Sequence, residues 1–198
     1  MQVKKGRRPN AMRSAEMRQR LVDAARALFL EQGFAGTSTP AIVSAAGVTR
    51  GALYHHFADK QALFKAVLEQ EAEALAKAVQ RSDQNGLSAK QRLVDGAMAY
   101  VDGLIAPGRA KLMFVEGPAV LGARSAQLME AERGEAQLRI GLSEALGPDR
   151  DDDLELEYLA RLLSAMFERA AVDIDEGLDP NGYRRAIKHV LSSLSARP

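Results

Sequence analysis

Apolar residues in this chain recur every three to four positions, and no stretch alternates apolar with polar residues as a strand would. Leu21, Val22, Ala25, Leu28 and Phe29 form one such stripe. It predicts a first helix over about 14–32, with Gly33 at the left-handed position after it. Thr39 can cap a short second helix that places Pro40 at its first position and ends at Gly47. Thr49 caps a third that ends near Phe57, and Asp59 caps a fourth over about 60–81. Ser88 and Gln91 stand at capping-box spacing and open a fifth, closed by Pro107–Gly108. Its buried face is Leu93, Ala97, Val101, Leu104 and Ile105. A sixth helix covers about 109–116, and Gly117–Pro118 stops or kinks it. A seventh spans about 124–146. The eighth opens on Asp151, Asp152 and Asp153, where negative charge suits the helix dipole. Asp179–Pro180 opens a ninth that runs to about Ala196. The pattern predicts an all-α chain of about nine helices.

Two of these helices say more than their positions. The eighth carries Leu154, Leu156, Tyr158, Leu159, Leu162, Leu163, Met166 and Phe167, too many apolar residues for one stripe. Such a helix is buried on several sides. The ninth adds Tyr183, Ile187, Val190, Leu191 and Leu194 at helical spacing. The pair can form a four-helix bundle with a second copy, with Leu159, Leu163, Ile187, Leu191 and Leu194 as the interface. Equally, the eighth can be the central helix of a single subunit; the pattern leaves both open.

Composition narrows the setting. The 198 residues include no cysteine, which excludes disulfides, thiolate metal sites and a cysteine nucleophile. No apolar run reaches the length of a membrane span, and no apolar core follows the basic N-terminus. The expected location is the cytoplasm, with no membrane partner. A net charge of +1 conceals an asymmetry. Residues 1–60 hold ten Lys/Arg and four Asp/Glu, a balance of +6, so the remainder carries −5. A basic first third on an acidic body is the footprint of a polyanion-binding head.

The chemistry gathers in the second and third helices. Gly47 supplies the tolerant backbone a tight turn needs, and Ala45, Ala46 and Ala52 let two helices cross closely. Ile42, Val43, Val48, Leu53 and Phe57 can face the first helix as a small core. The third helix then presents Thr49, Arg50, Tyr54, His55 and His56, with Lys60 just beyond. These groups suit phosphate oxygens and base edges. Gly51 and Ala52 leave the backbone free to approach bases. Adjacent histidines on a helix point about 100° apart, so His55 and His56 do not make a metal site.

The segment from about Arg18 to Leu68 resembles the DNA-binding head of the TetR family of transcriptional regulators. GFAGTST, AAGVTRGALYHHF and ADKQALFKAVL carry the resemblance. It implies a three-helix helix-turn-helix domain over 14–58, preceded by a flexible basic arm over 1–13. A helical ligand-binding and dimerisation domain follows over 59–198. By the same resemblance, Tyr54 holds a phosphate through its hydroxyl, and Lys60 anchors another. Thr39 stands at the start of the bracing helix. His55 and His56 contact backbone or bases. Arg50 sets specificity, with guanine as its natural partner. Arg7 and Arg8 reach a minor groove. Pro40 departs from members with a polar or basic residue there, which puts one backbone contact in doubt.

The implied function is a repressor, released from a pseudo-palindromic operator on double-stranded DNA by a small molecule. The implied dimer uses the last two helices. Tyr100, Met113, Phe114, Met129, Met166 and Phe167 are apolar candidates for the effector pocket, with Glu116, Arg139 and Glu168 as polar handles. Their bias points to a hydrophobic or aromatic effector. No cofactor is expected. Two rival classes remain in view. An architectural DNA-binding protein would show weak sequence preference. An α-helical enzyme finds no support in the isolated His189, in Glu155 and Glu157, or in any phosphate-loop or metal motif.

Overall fold

The structure is a computed structural model that describes residues 10–82, 86–125, 134–147 and 153–194. Arg7, Arg8, Met129, Asp151 and Asp152 lie outside the described residues. Among those described there is no strand. In chain order the helices are α1 (Asn10–Gly36), α2 (Thr39–Ala46), α3 (Arg50–His56), α4 (Lys60–Ser82) and α5 (Ala89–Leu104). A π-helical segment (Lys111–Glu116) runs directly into α6 (Gly117–Leu121). Then come α7 (Ala136–Leu146), α8 (Asp153–Asp175) and α9 (Pro180–Leu194).

Several boundaries differ from the sequence expectation for identifiable reasons. The first helix begins at Asn10, inside the arm expected over 1–13. Its regular turns break at Gly33, where φ is 71°. Ser38, one residue earlier than Thr39, caps α2: its Oγ accepts the Ala41 N–H at 3.3 Å, and Thr39 becomes the first helical residue. Gly117–Pro118 does not end a helix. The wide turn of the π segment directs the Gly117 N–H to the Leu112 carbonyl, five residues back, and α6 continues to a left-handed Gly122. The caps expected at Thr49, Asp59 and Ser88 are formed, the last as a reciprocal box with Gln91.

Packing divides the chain into two compact units, residues 1–67 and 68–198. The division falls within α4 rather than at 58/59. Phe64, one turn into α4, belongs to the head: its ring meets Phe29 at 5.1 Å and Phe34 at 5.0 Å, both edge-on. Leu21, Ala25, Phe29, Ile42, Leu53 and Leu63 are also sealed from solvent. Each large side chain so buried contributes about 1.5–3 kcal/mol.

The body is built on α5 and α8. Leu93, Ala97 and Val101 of α5 pack with Leu142 of α7, with Leu163, Phe167 and Ala170 of α8, and with Ile187 and Leu191 of α9. A second apolar group joins Leu75 of α4, Leu104, Ala110 and Ala171. Beside it lies a buried ion pair. Glu71 of α4 receives the Arg109 Nε–H at 2.5 Å, and Arg109 also donates to the Gly103 carbonyl.

Candidate nucleic-acid interface

The geometry of the head begins with the turn between α2 and α3. Gly47 adopts φ 61°, ψ 41°, and its N–H returns to the Ser44 carbonyl. Arg20 of α1 donates to the carbonyls of Ala46 at 2.5 Å and Gly47 at 3.2 Å. That arginine, which the sequence reading passed over, ties the turn to α1 with charge-assisted hydrogen bonds. A second tie sits at the start of α4. The Lys60 ammonium donates to the Phe34 carbonyl at 2.8 Å and the Thr37 carbonyl at 2.9 Å, and lies 4.1 Å from the centre of the Phe34 ring. Lys60 therefore holds the connection between α1 and α2, whatever else its remaining N–H does.

With the turn fixed, α3 buries Leu53 and exposes Arg50, Gly51, Tyr54 and His55, while Ala52 and His56 are half-buried. The exposed residues share one face because they fall at i, i+1, i+4 and i+5. The Arg50 guanidinium lies 5.5 Å from the centre of the Tyr54 ring. Hydrogen bonding by Arg50, and then by Thr39, holds the Tyr54 hydroxyl below its ordinary pKa. Thr39, Arg50 and Tyr54 thus come together across the α2–α3 corner. Thr49 is exposed, with its hydroxyl occupied as the cap of α3 through the Ala52 N–H at 3.2 Å.

His56 differs from its neighbour. Partial burial, and then the nearby charges of His55 and Arg18, hold it below the ordinary histidine value. Its ring also faces the ring of Phe57. Gly51 has a different significance. A Cβ built there would meet only the Thr49 hydroxyl, at 3.9 Å. The fold does not require glycine at this position, although glycine inside a helix costs about 1 kcal/mol relative to alanine.

These features form a helix-turn-helix with a polar, partly cationic exposed face. Residues 21–67 match the family described as "Bacterial regulatory proteins, tetR family". Residues 90–197, more than half of the chain, match "Tetracyclin repressor-like, C-terminal domain". The chain belongs to the TetR family. "HTH-type transcriptional regulator AcrR" of Shigella flexneri is 47% identical over 62 residues, 31% of this chain and 29% of that protein. "HTH-type transcriptional repressor AcnR" of Corynebacterium efficiens is 39% identical over 70 residues, 35% of this chain and 36% of that protein. The chain spans about a third of the length of these curated relatives. A crystal structure of a TetR-family transcriptional regulator from Pectobacterium atrosepticum aligns over 94% of this chain and 95% of its own, with TM-score 0.68 and 28% identity.

In this TetR-family chain the body holds a cavity of about 260 Å³ that is partly open to solvent. Tyr100, Met113 and Phe167 line it, among the residues singled out from sequence. Phe114, Glu116, Arg139 and Met166 do not, and neither does Glu168. Phe114 packs against the Leu75–Leu104 group instead, Met166 against the main core, and Arg139 is exposed. The walls that the sequence reading missed are largely small: Ala72 and Ala76 of α4, Gly96 and Ala97 of α5, and Gly141 of α7. The spacing of Ala72 and Ala76, one turn apart, was the available signal. A search for bulky contact residues overlooks the small ones that make room.

The interface assignment also changes. Leu163, Ile187 and Leu191 are 4%, 1% and 1% exposed, within the subunit's own core. They cannot meet a second copy while the subunit stays folded. Leu159 and Leu194 are half-buried against the same core. The large apolar residues exposed on α8 are Leu154, Tyr158 and Leu162, at i, i+4 and i+8, more than half exposed. No helix among the described residues is long and apolar enough to cross a membrane.

Proposed function

We propose that the chain is a ligand-responsive repressor that acts on DNA as a homodimer. The carrying observation is the exposed face of α3, where Arg50, Tyr54 and His55 surround a glycine that the fold itself does not need. A backbone left bare at that point suits close approach to base edges in a major groove. Arg50 reads a base, with guanine as its best partner. The Tyr54 hydroxyl, the Thr39 hydroxyl and the free donor capacity of Lys60 meet phosphates. Arg7 and Arg8 extend the contact into a minor groove, and the reaction to DNA is regulatory rather than catalytic. The name of the Corynebacterium relative, a transcriptional repressor, supports the direction of control.

Two copies associate through the Leu154–Tyr158–Leu162 stripe of α8, together with α9. Dimer symmetry then demands a pseudo-palindromic operator. The effector enters the body cavity, one wall of which is α4, the helix that begins at Lys60. Occupancy biases α4 and so weakens operator binding. A ligand that favours the released state about 100-fold supplies roughly 2.7 kcal/mol for this shift. A cytoplasmic location follows from the need to reach DNA.

Selection of duplexes from a random library by the purified protein tests the proposal. The expected result is an enriched pseudo-palindrome. Binding with no enriched motif would replace it with an architectural role.

A further inference from the structure

We infer that the body cavity takes an uncharged aromatic molecule of about two rings bearing one hydrogen-bonding group, and rejects carboxylates and amines of the same shape. The inference rests on the ligand-responsive reading above and specifies its effector chemistry.

Size sets the first limit. An engineered apolar cavity of about 150 Å³ holds one benzene. The roughly 260 Å³ here leaves room for a second ring.

Charge sets the second. Among the described lining residues only Arg92 and Glu144 are charged, and they are paired with each other at 2.7 Å. Arg92 also donates to the Leu87 carbonyl at 3.0 Å. Both side chains are partly exposed, so they stand at the edge of the cavity. A carboxylate at Arg92 would lie beside Glu144, and an ammonium group at Glu144 would lie beside Arg92, so each would meet a like charge along with the opposite one. Deeper in, either ion would lose water with no counter-charge among the described lining residues.

The remaining wall defines what fits. The Tyr100 and Phe167 rings stand 5.9 Å apart at 56°, an aromatic corner on the cavity. Ser164, only 4% exposed, lines the same space one turn before Phe167. A hydroxyl retains acceptor capacity beyond the one bond it donates. Tyr100 and Ser164 can therefore accept a hydrogen bond from a neutral hydroxyl or amide N–H on an otherwise apolar ligand.

Calorimetric titration of the full chain with 4-phenylphenol, biphenyl-4-carboxylate and 4-phenylbenzylamine tests this. The phenol is expected to bind at least roughly tenfold more tightly than either ion. Ser164→Ala combined with Tyr100→Phe is expected to weaken the phenol roughly tenfold while leaving unsubstituted biphenyl unchanged. Ala76→Phe fills the cavity and should abolish binding, with circular dichroism to verify folding. Ala72→Phe serves the same purpose if the first variant does not fold. Equal or tighter binding of either ion overturns the inference. So does phenol binding that ignores the filled cavity, or no binding of any probe at about 1 mM. An enriched DNA motif without probe binding sinks only the effector chemistry. Probe binding without an enriched motif sinks the regulator reading instead.

Discussion

The exposed residues of α3 and of α8 lie on helices of the same handedness and period, yet they prepare for opposite partners. On α3 the solvent-facing positions are Arg50, Gly51, Tyr54 and His55. On α8 they include Leu154, Tyr158 and Leu162. The first face can exchange water for phosphates and base edges without losing its hydrogen bonds. The second gains from being covered by another apolar surface, about 25 cal/mol for each Å² removed from water. A partner's chemistry is thus written in what a folded helix leaves outside, and only after its buried side has been taken away.

The sharpest way to break this comparison uses adjacent leucines of α8. Leu163→Glu puts a charge into the subunit's core and should cost more than about 3 kcal/mol, enough to unfold the body in urea titrations. Leu162→Glu should leave the circular dichroism spectrum intact and yield a monomer in sedimentation. A Leu162→Glu protein that remains a dimer would move the interface off this stripe.

The buried pair of the body comes next. Arg109→Met takes the guanidinium away from Glu71, which is 1% exposed, and should destabilise the body by about 3 kcal/mol. A loss under about 1 kcal/mol would mean that the ion pair contributes little to the fold.

Lys60→Ala probes the head by the same logic, with two readouts. The lost bonds to the Phe34 and Thr37 carbonyls should cost about 1.5 kcal/mol in thermal unfolding. If Lys60 also meets a phosphate, the slope of log affinity against log salt should flatten by about 0.9. An unchanged slope with lowered stability would assign Lys60 to the fold alone.

Gly51→Ala separates fold from function on α3. Stability should rise by up to about 1 kcal/mol, because space is open and a helical glycine is removed. Affinity for the selected duplex should fall. Undiminished affinity would argue that the backbone there stays away from DNA.

The smallest effect concerns pH. His56 is held below its ordinary value by partial burial, and then by the charges of His55 and Arg18, so the folded head favours the neutral ring. Its contribution is present above the unfolded value of about 6.5 and is lost as pH falls through the lowered folded value. Between about pH 7.5 and pH 5, wild type should therefore lose slightly more melting temperature than His56→Gln. Parallel losses would remove His56 from the account.

The head was more legible in the sequence than the body because its instructions are local. Thr49, Asp59 and Gly47 act on backbone within a few residues, so cap and turn chemistry located α3 and α4 closely. The Ser38 cap differed by one residue because two neighbouring hydroxyls were equally eligible. The role of Lys60 was another matter. Its partners at Phe34 and Thr37 lie 26 and 23 residues away, and no spacing rule pairs an ammonium with those carbonyls.

In the body the same local reasoning placed helices but not faces. The eighth helix read as apolar on several sides, and its period could not say which side a single subunit covers. Tertiary packing decided that Leu163, Ile187 and Leu191 are interior while Leu154, Tyr158 and Leu162 are not. It also decided which residues bound the cavity, because a cavity is the space that Ala72, Ala76 and Ala97 fail to fill between separate helices. By itself, the sequence determined an all-α chain, the position of its helix-turn-helix and the polar character of α3. Those properties follow from hydrogen bonds and periodicities spanning one or two turns. Which leucines are buried, what Lys60 and Arg109 hold, and where a ligand has room depend on contacts between residues far apart in the chain, and these exist only in the folded molecule.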